Sequence, residues 1–345
     1  MRPSGRTIPP SPPSIQKPGS VLRTAGFLHS GLRVGFEPTV MNIMPAMKLY
    51  GGLELGGTKT QVAIGFDDGT ILVRETLPTG RPEDLLPLVS RFFAENARQH
   101  GSPVALGVGA FGPIVIDPRA TGYGCLLETN KPGWSGFDLA GALRASCGVP
   151  VVLATDVGAA GVGEARHGAL RGLDLGIYLT VGTGIGGAIL CRGQPLPALL
   201  HPEMGHIALQ RQAGDFAPSV CRFHENCAEG LVAGPAVLAR FGKPLSAFHS
   251  TSEEVALVAD YLGQLGANLV LTLSPQRIVI GGGVGAAPGL VAATRSALLT
   301  HLGSYVAQQV QSEDFLCAPM LGQDAGIIGA LCSASLAASE SPADP

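Results

Sequence analysis

Residues 50–65, YGGLELGGTKTQVAIG, predict a β-strand, a glycine turn and a second β-strand. The same arrangement recurs at residues 176–191, GIYLTVGTGIGGAILC. In both segments the glycines leave backbone N–H groups open to phosphate oxygens, because no Cβ stands in the way, and a neighbouring threonine adds a hydroxyl group. The second turn differs from a dinucleotide-binding fingerprint, since a strand follows it where that fingerprint requires a helix. The duplication therefore predicts two similar halves that face a cleft.

Apolar strands and helical periodicities alternate along the rest of the chain. Helices are predicted at residues 82–99, 138–146, 234–241, 252–271, 288–306 and 324–334. A third glycine turn, at residues 281–283, follows the strand predicted at residues 277–280. Alternating strands and helices are typical of the α/β class. Three glycine turns at strand ends together indicate a nucleotide that lies between the two halves.

Composition and charge exclude several classes of protein. The chain has 345 residues, of which 46% are hydrophobic and 14% are charged, so it can fill the cores of two domains. Its net charge of −3 offers no basic field for nucleic acid or an anionic membrane. No uninterrupted apolar run reaches the ~18–20 residues that span a bilayer. Seven cysteines, an odd number, argue against a secreted disulfide scaffold. We expect a cytoplasmic protein that binds neither nucleic acid nor a membrane.

The two ends of the chain differ from its middle. Residues 1–46 contain eight prolines and no hydrophobic periodicity. They are predicted to be a disordered extension, or to precede a true start at Met41, Met44 or Met47. A transit peptide would need an amphipathic helix, which the prolines disfavour. The last residues, 337–345, are predicted to be a flexible tail.

Asp156 is the acidic residue that we select as a catalytic candidate. It closely follows the apolar strand predicted at residues 151–154, and small residues follow it. A carboxylate at the end of a strand, with space around it, can accept a proton from a substrate hydroxyl group. The alternative is a helix N-cap, because Thr155 and Asp156 precede a predicted helix at residues 157–166. The pattern alone supports both interpretations equally.

A metal site is predicted from three residues spaced Cys-x-x-His-x-x-Cys, namely Cys221, His224 and Cys227, with His206 upstream. Two thiolates and two imidazoles suit tetrahedral zinc. Four protein ligands leave no open position, so the zinc would be structural. His201 competes with His206 for the fourth place. The alternative is two free thiols and a surface histidine, but such a cluster rarely arises by chance, so we favour zinc.

Three further residues are candidates for contacts with a sugar. Glu203 and Glu229 lie on either side of the metal segment and could be surface charges or acceptors of sugar hydroxyl groups. Trp134 is the single tryptophan and follows Pro132 and Gly133, which suggests an ordered loop. An exposed indole there could stack on a sugar face, although a tryptophan more often belongs to the core.

These motifs, in this order, resemble the ROK family of sugar kinases, and most closely its fructokinase branch, within the hexokinase/actin-like ATPase superfamily. The resemblance covers residues 48–334. It implies a two-lobed actin-like ATPase fold of the ribonuclease-H-like kind, with an inter-lobe cleft and a zinc-bearing loop. The N-terminal α/β lobe would comprise residues 47–160, completed by a C-terminal helix at residues 322–336. The C-terminal lobe would comprise residues 161–321, with the zinc loop at residues 201–230.

The resemblance also implies roles for individual residues. Nucleotide binding is implied for residues of the three glycine turns and for one proline: Gly56, Gly57, Thr58, Lys59, Thr183, Gly184, Pro235, Gly281, Gly282, Gly283, Val284 and Gly285. Sugar binding is implied for Gly112, Trp134, Glu203, His206 and Glu229. Asp156 falls where the family has its catalytic base, and the zinc ligands would be His206, Cys221, His224 and Cys227.

The activity implied by the resemblance is ATP-dependent phosphorylation of a hexose. The expected acceptor is D-fructose, giving fructose 6-phosphate, with ATP, Mg²⁺ and Zn²⁺ as cofactors and a homodimer as a candidate assembly. The alternatives are a kinase for glucose, mannose or an N-acetylated amino sugar, and a non-catalytic sugar-sensing protein. The repressor role of many family members is disfavoured, because residues 1–46 show no helix-turn-helix pattern.

Three residues depart from the usual family pattern. Glu54 replaces the usual aspartate of the first phosphate motif, which leaves its relation to magnesium open. Thr155 stands where most members have asparagine, and His224 stands where many have a third cysteine. The changes at Glu54 and His224 are both familiar in the fructokinase branch.

Overall fold

The structure is a computed structural model that describes residues 47–196 and 201–340. Two five-stranded mixed sheets dominate it. The first has the order β3-β2-β1-β4-β5, from β1 (Tyr50–Leu55), β2 (Lys59–Gly65), β3 (Ile71–Pro78), β4 (Leu106–Ala110) and β5 (Val151–Thr155). The second has the order β10-β9-β6-β7-β8, from β6 (Leu175–Val181), β7 (Ile185–Cys191), β8 (Gln194–Pro195), β9 (Arg277–Gly281) and β10 (Leu316–Cys317). Residues 1–46, predicted to be an extension, and residues 341–345 of the predicted tail lie outside the described residues.

Nine helices occur in the described part of the chain. They are α1 (Pro82–His100), α2 (Leu139–Cys147), α3 (Asp156–His167), α4 (Ala228–Val232), α5 (Gly234–Phe241), α6 (Glu253–Leu273), α7 (Gly282–Gly285), α8 (Leu290–Leu302) and α9 (Ala325–Glu340). Helices α1 and α2 pack together beside the first sheet, and α6 packs on α8 beside the second. The predicted alternation of strands and helices, and with it the α/β class, is confirmed.

The duplication predicted from the two glycine segments is present in the strand pairing. In the first sheet β1 pairs antiparallel with β2 and parallel with β4. In the second sheet β6 pairs antiparallel with β7 and parallel with β9. Each half is therefore built on the same strand, turn and strand unit with a parallel neighbour.

The carboxyl ends of three parallel strands meet at one edge of the first sheet. Leu55 of β1 is in register with Ala110 of β4, which is in register with Thr155 of β5. The residues that follow these three strands therefore lie at the same edge of the sheet, which is where ligands of α/β sheets usually bind. This edge brings together the first glycine turn, the loop that follows β4, and Asp156.

Two helices lie between the sheets and connect them. Helix α3 packs on β4, β6 and β7, while α9 packs on β1, β2, β4 and β5, and the two helices pack on each other. Their approach is close because glycines stand at the crossing: a Cβ on Gly329 would overlap Ala159 O, and one on Gly163 would overlap Ala325 O. The C-terminal helix thus packs on the first sheet.

Several boundaries differ from those predicted by sequence. Residues 282–285 form one helical turn rather than an open turn, and α8 ends at Leu302 instead of continuing to residue 306. Helix α9 continues to Glu340, so the flexible tail predicted from residue 337 is wrong for residues 337–340. The reason is packing, since Ala338 lies against a small buried cluster that contains Tyr50 and Leu331.

Helix α6 is the one helix of the described residues that is long and apolar enough to cross a membrane. Its most apolar window is 61% buried inside the protein. The buried residues, which include Val258, Leu262 and Leu265, belong to the core of the second half. This burial is the pattern of a core helix.

Candidate active site and metal centre

Asp156 is the first residue of α3 and stands at the carboxyl edge of the first sheet. The N-cap of this helix is Thr155, whose Oγ1 accepts a hydrogen bond from the Gly158 N–H at 3.0 Å. Asp156 Oδ1 accepts one from the Val157 N–H at 2.8 Å. The capping role therefore belongs to Thr155, which removes the structural alternative for Asp156. Burial raises the pKa of Asp156, and a carboxylate with a raised pKa is a stronger base.

A second partly buried carboxylate, Glu54, lies near Asp156. Gln61 Nε2 donates a hydrogen bond to Glu54 Oε2 at 3.2 Å, and a Cβ on Gly326 would lie 2.5 Å from Glu54 Cδ. Burial raises the pKa of Glu54 to about 7, and the negative charge of Asp156 contributes to the rise. Two acidic groups thus share the base of the site, and each makes ionisation of the other more costly.

His201 and Glu203 form a polar pair, and His201 interacts electrostatically with Asp156. His201 Nε2 lies 2.8 Å from Glu203 Oε1, and this hydrogen bond lowers the pKa of Glu203. A Cβ on Gly112 would lie 3.6 Å from His201 Nε2, which places the loop after β4 against the pair. His201, which the sequence offered as an alternative to His206 as a zinc ligand, does not belong to the metal cluster. The structure instead brings together two of the predicted sugar-binding residues, Gly112 and Glu203.

The four predicted zinc ligands form one cluster, in which the ligand atoms of His206, Cys221, His224 and Cys227 all lie within 4.8 Å of one another. Cys221 Sγ is 3.8 Å from His206 Nδ1 and 3.7 Å from His224 Nδ1. Tetrahedral zinc, with bonds of ~2.3 Å to sulfur and ~2.0 Å to nitrogen, would hold S and N about 3.5 Å apart. The four ligand atoms therefore fit zinc, and its binding would draw the sulfur and nitrogen atoms slightly closer together.

Glu229 lies between this metal cluster and the second glycine turn. Its Oε2 accepts a hydrogen bond from the Ile185 N–H at 2.9 Å, while its Oε1 lies 4.0 Å from His206 Nε2. A Cβ on Gly184 would lie 2.6 Å from the same Oε2, so a side chain there would press on the Glu229 carboxylate. The family resemblance implied a sugar contact for Glu229. The backbone contact across 44 residues has no sequence signal.

The predicted nucleotide-binding residues of the second half converge on residues 182–184. Gly182 O accepts a hydrogen bond from the Gly234 N–H at 2.7 Å, at the start of α5, which also contains Pro235. Gly281 of β9 pairs with Thr180 of β6. The next residue, Gly282, has a φ of 86° and lies so close to β6 that a Cβ on it would be 2.5 Å from Val181 O. Three separate segments of the chain thus meet at the second glycine turn.

Trp134 corrects a prediction made from the sequence. Its side chain is completely buried, and its indole Nε1 donates a hydrogen bond to Gly80 O at 2.9 Å. Phe111 and Phe137 pack edge-on against the ring. The predicted stacking of Trp134 on a sugar is wrong, because the indole belongs to the core and anchors its loop there.

Lys131, three residues before Trp134, is a further polar residue of this region that sequence analysis missed. Its Nζ donates a hydrogen bond to Gly57 O at 3.0 Å, in the middle of the first glycine turn. That turn is closed by a hydrogen bond from the Gly56 N–H to Lys59 O at 3.2 Å. An ammonium group therefore lies on the turn that was predicted to hold phosphates.

The ROK family matches residues 50–337 of the chain. The chain belongs to the ROK family. A ROK relative named fructokinase, from Zymomonas mobilis subsp. mobilis (strain ATCC 31821 / ZM4 / CP4), is 35% identical over 291 residues, which cover 83% of this chain and 96% of the relative. A relative named glucokinase, from Halalkalibacterium halodurans, is 27% identical over 318 residues, which cover 81% of this chain and 93% of the relative.

Among solved structures, the chain is similar to the ROK hexokinase from Thermus thermophilus, with a TM-score of 0.68 and 28% sequence identity. The match covers 85% of this chain and 99% of the hexokinase. The two-lobed actin-like ATPase fold implied by the family resemblance is thereby confirmed. Membership of the ROK family and these relatives support a hexose kinase activity that uses ATP.

Proposed function

We propose that this protein transfers the γ-phosphoryl group of Mg·ATP to the 6-hydroxyl group of D-fructose. One observation carries the proposal: Asp156 stands at the same strand edge as the first glycine turn and interacts electrostatically with His201, which is hydrogen-bonded to Glu203. A hexose held by the pair and a phosphate held by the turn would then meet at this carboxylate. Fructose is favoured over glucose because the fructokinase relative is more similar, at 35% identity against 27%.

In the proposed reaction, Asp156 accepts the proton of the attacking hydroxyl group. The Val157 N–H donates to Oδ1, which orients the carboxylate, and Oδ2 would accept the proton of the substrate hydroxyl group. The raised pKa of Asp156 favours proton uptake as the oxygen–phosphorus bond forms. Little covalent chemistry is required of the protein, because positioning and charge stabilisation dominate phosphoryl transfer.

The phosphates of ATP would lie between the glycine turns at residues 56–58 and 182–184. Backbone N–H groups in such turns bind phosphate oxygens, and the helical turn at residues 282–285 would lie beside the adenosine. Magnesium, when bound with ATP, neutralises negative charge on the phosphates. Glu54 offers a carboxylate for it at the base of the site.

Zinc, when bound, supplies structural restraint rather than a reacting position, because the four protein ligands complete its coordination. His206 and Cys227 would fix the segment that contains Glu203 and Glu229. Two carboxylates that are 26 residues apart in the sequence can contact one sugar only if the segment between them is held.

An assay of ADP release with a panel of hexoses tests the proposal. The panel contains fructose, glucose, mannose and two N-acetylated amino sugars, and we expect the highest kcat/KM with fructose. Phosphorus NMR of the product would then show a 6-phosphate ester. A preference for another sugar would contradict the choice of fructose, and turnover with none of them would favour a sugar-sensing protein.

A further inference from the structure

We propose that Lys131 binds the phosphoryl group during its transfer from ATP to the sugar. This inference rests on the kinase function proposed above. Lys131 Nζ lies 3.0 Å from Gly57 O, and a Cβ on Gly57 would lie 2.9 Å from the same Nζ. The ammonium group therefore lies against the first glycine turn, where the phosphates of ATP are expected.

The loop that presents Lys131 is held in place on both sides. The Trp134 N–H donates to Lys131 O at 3.2 Å, and the buried Trp134 indole is bonded to Gly80 O. Ser135 Oγ donates to Thr129 O at 3.0 Å and accepts from the Thr129 N–H at 3.0 Å, which closes the loop. A fixed backbone with a flexible four-carbon side chain lets the ammonium group follow a phosphoryl group over a short distance.

The electrostatics of the site call for a cation at this position. The negative charges of Asp156 and Asp324 help to raise the pKa of Glu54. The base of the site is therefore negatively charged and repels phosphate. Negative charge spreads over the equatorial oxygens of the phosphoryl group in the transition state. Lys59 supplies one positive charge near Glu54, and Lys131 supplies a second at Gly57 O.

Lys131 is available for this role because its present partner is neutral. Among the described residues, the Lys131 side chain has one hydrogen-bond partner, the backbone Gly57 O. The Lys131 ammonium group forms no ion pair with these residues. An ammonium group has three donors, so it can keep the bond to Gly57 O and still donate to phosphate oxygens. A charge-assisted bond of this kind is roughly twice as strong as a neutral one.

Nucleotide binding to three variants of the full chain tests the inference. Lys131→Met removes the charge and keeps the length, Lys131→Arg keeps the charge, and Lys48→Met is the matched control. Lys48 is exposed just before the amino end of β1, at the opposite edge of the sheet. Calorimetry with Mg²⁺ would compare ADP with AMPPNP, an ATP analogue that retains a γ-phosphoryl group.

We expect Lys131→Met to weaken AMPPNP binding about tenfold and to leave ADP binding within about twofold. Lys131→Arg should recover most of the loss, and Lys48→Met should match the wild type. Equal loss for ADP and AMPPNP, or no loss for either, would overturn the inference and make Lys131 a purely structural link. Wild-type protein that binds neither nucleotide would refute the kinase function itself, independently of the sugar.

Discussion

Replacement of Glu229 by alanine should weaken the binding of both substrates. The change removes the acceptor of the Ile185 N–H, at 2.9 Å, and the carboxylate that faces His206 Nε2 at 4.0 Å. Ile185 is 3% exposed, so its N–H group would lose a partner that water replaces poorly. An unpaired buried donor costs about 1–3 kcal/mol, which corresponds to a roughly 5- to 150-fold change in an equilibrium constant.

Steady-state kinetics with each substrate varied in turn would measure the effect. We expect the KM for ATP and the KM for the hexose both to rise in Glu229→Ala, because the carboxylate contacts the glycine turn and faces the metal cluster. Glu229→Gln keeps an oxygen that can accept from the Ile185 N–H but loses the charge. Its KM for ATP should therefore remain within about threefold of the wild type, while its KM for the hexose rises.

The exposed Glu225, four residues before Glu229, provides the control, and Glu225→Ala should behave like the wild type. An unchanged KM for ATP in Glu229→Ala would refute the coupling of the two sites through this carboxylate. Equal behaviour of the glutamine and alanine variants would refute the assigned role of the Ile185 hydrogen bond.

Three other perturbations have expected outcomes. Purified protein should contain about one zinc per chain. Cys227→Ser should lose this zinc, melt at a lower temperature and show a higher KM for the hexose. Zinc-free protein with normal hexose affinity would contradict the structural role of the metal. The pKa of Glu54 is raised to about 7, so the free energy of unfolding falls as pH rises from 4.5 to 7, and Glu54→Gln should be stabilised relative to wild type at pH 8 but not at pH 4. Equal melting shifts at both pH values would contradict this. Gly184→Ala, whose Cβ would lie 2.6 Å from Glu229 Oε2, should displace that carboxylate and raise the KM for ATP, and an unchanged KM would argue against phosphate binding at this turn.

The sequence was informative wherever the signal was local. The paired glycine segments predicted the duplicated sheets, because the alternation of strands and turns is set by residues next to one another. The spacing of Cys221, His224 and Cys227 predicted a cluster that the structure assembles, with His206 added. Zinc binding itself stays a prediction, as do the roles of the other site residues.

Contacts between distant segments could not be predicted. Lys131 meets Gly57 across 74 residues, and Glu229 meets Ile185 across 44, so no periodicity records either pair. Trp134 was misassigned because its exposure depends on Phe111 and Phe137, which pack around it only in the folded chain.

Turnover by Asp156→Asn tests the central claim most directly. Asparagine keeps the size of the side chain and can still accept from the Val157 N–H, but it cannot take the proton of the hydroxyl group. With fructose and Mg·ATP, kcat should fall roughly 10²- to 10⁴-fold while the affinity for the sugar changes little. A variant that turns over at nearly the wild-type rate would contradict the assignment of Asp156 as the base.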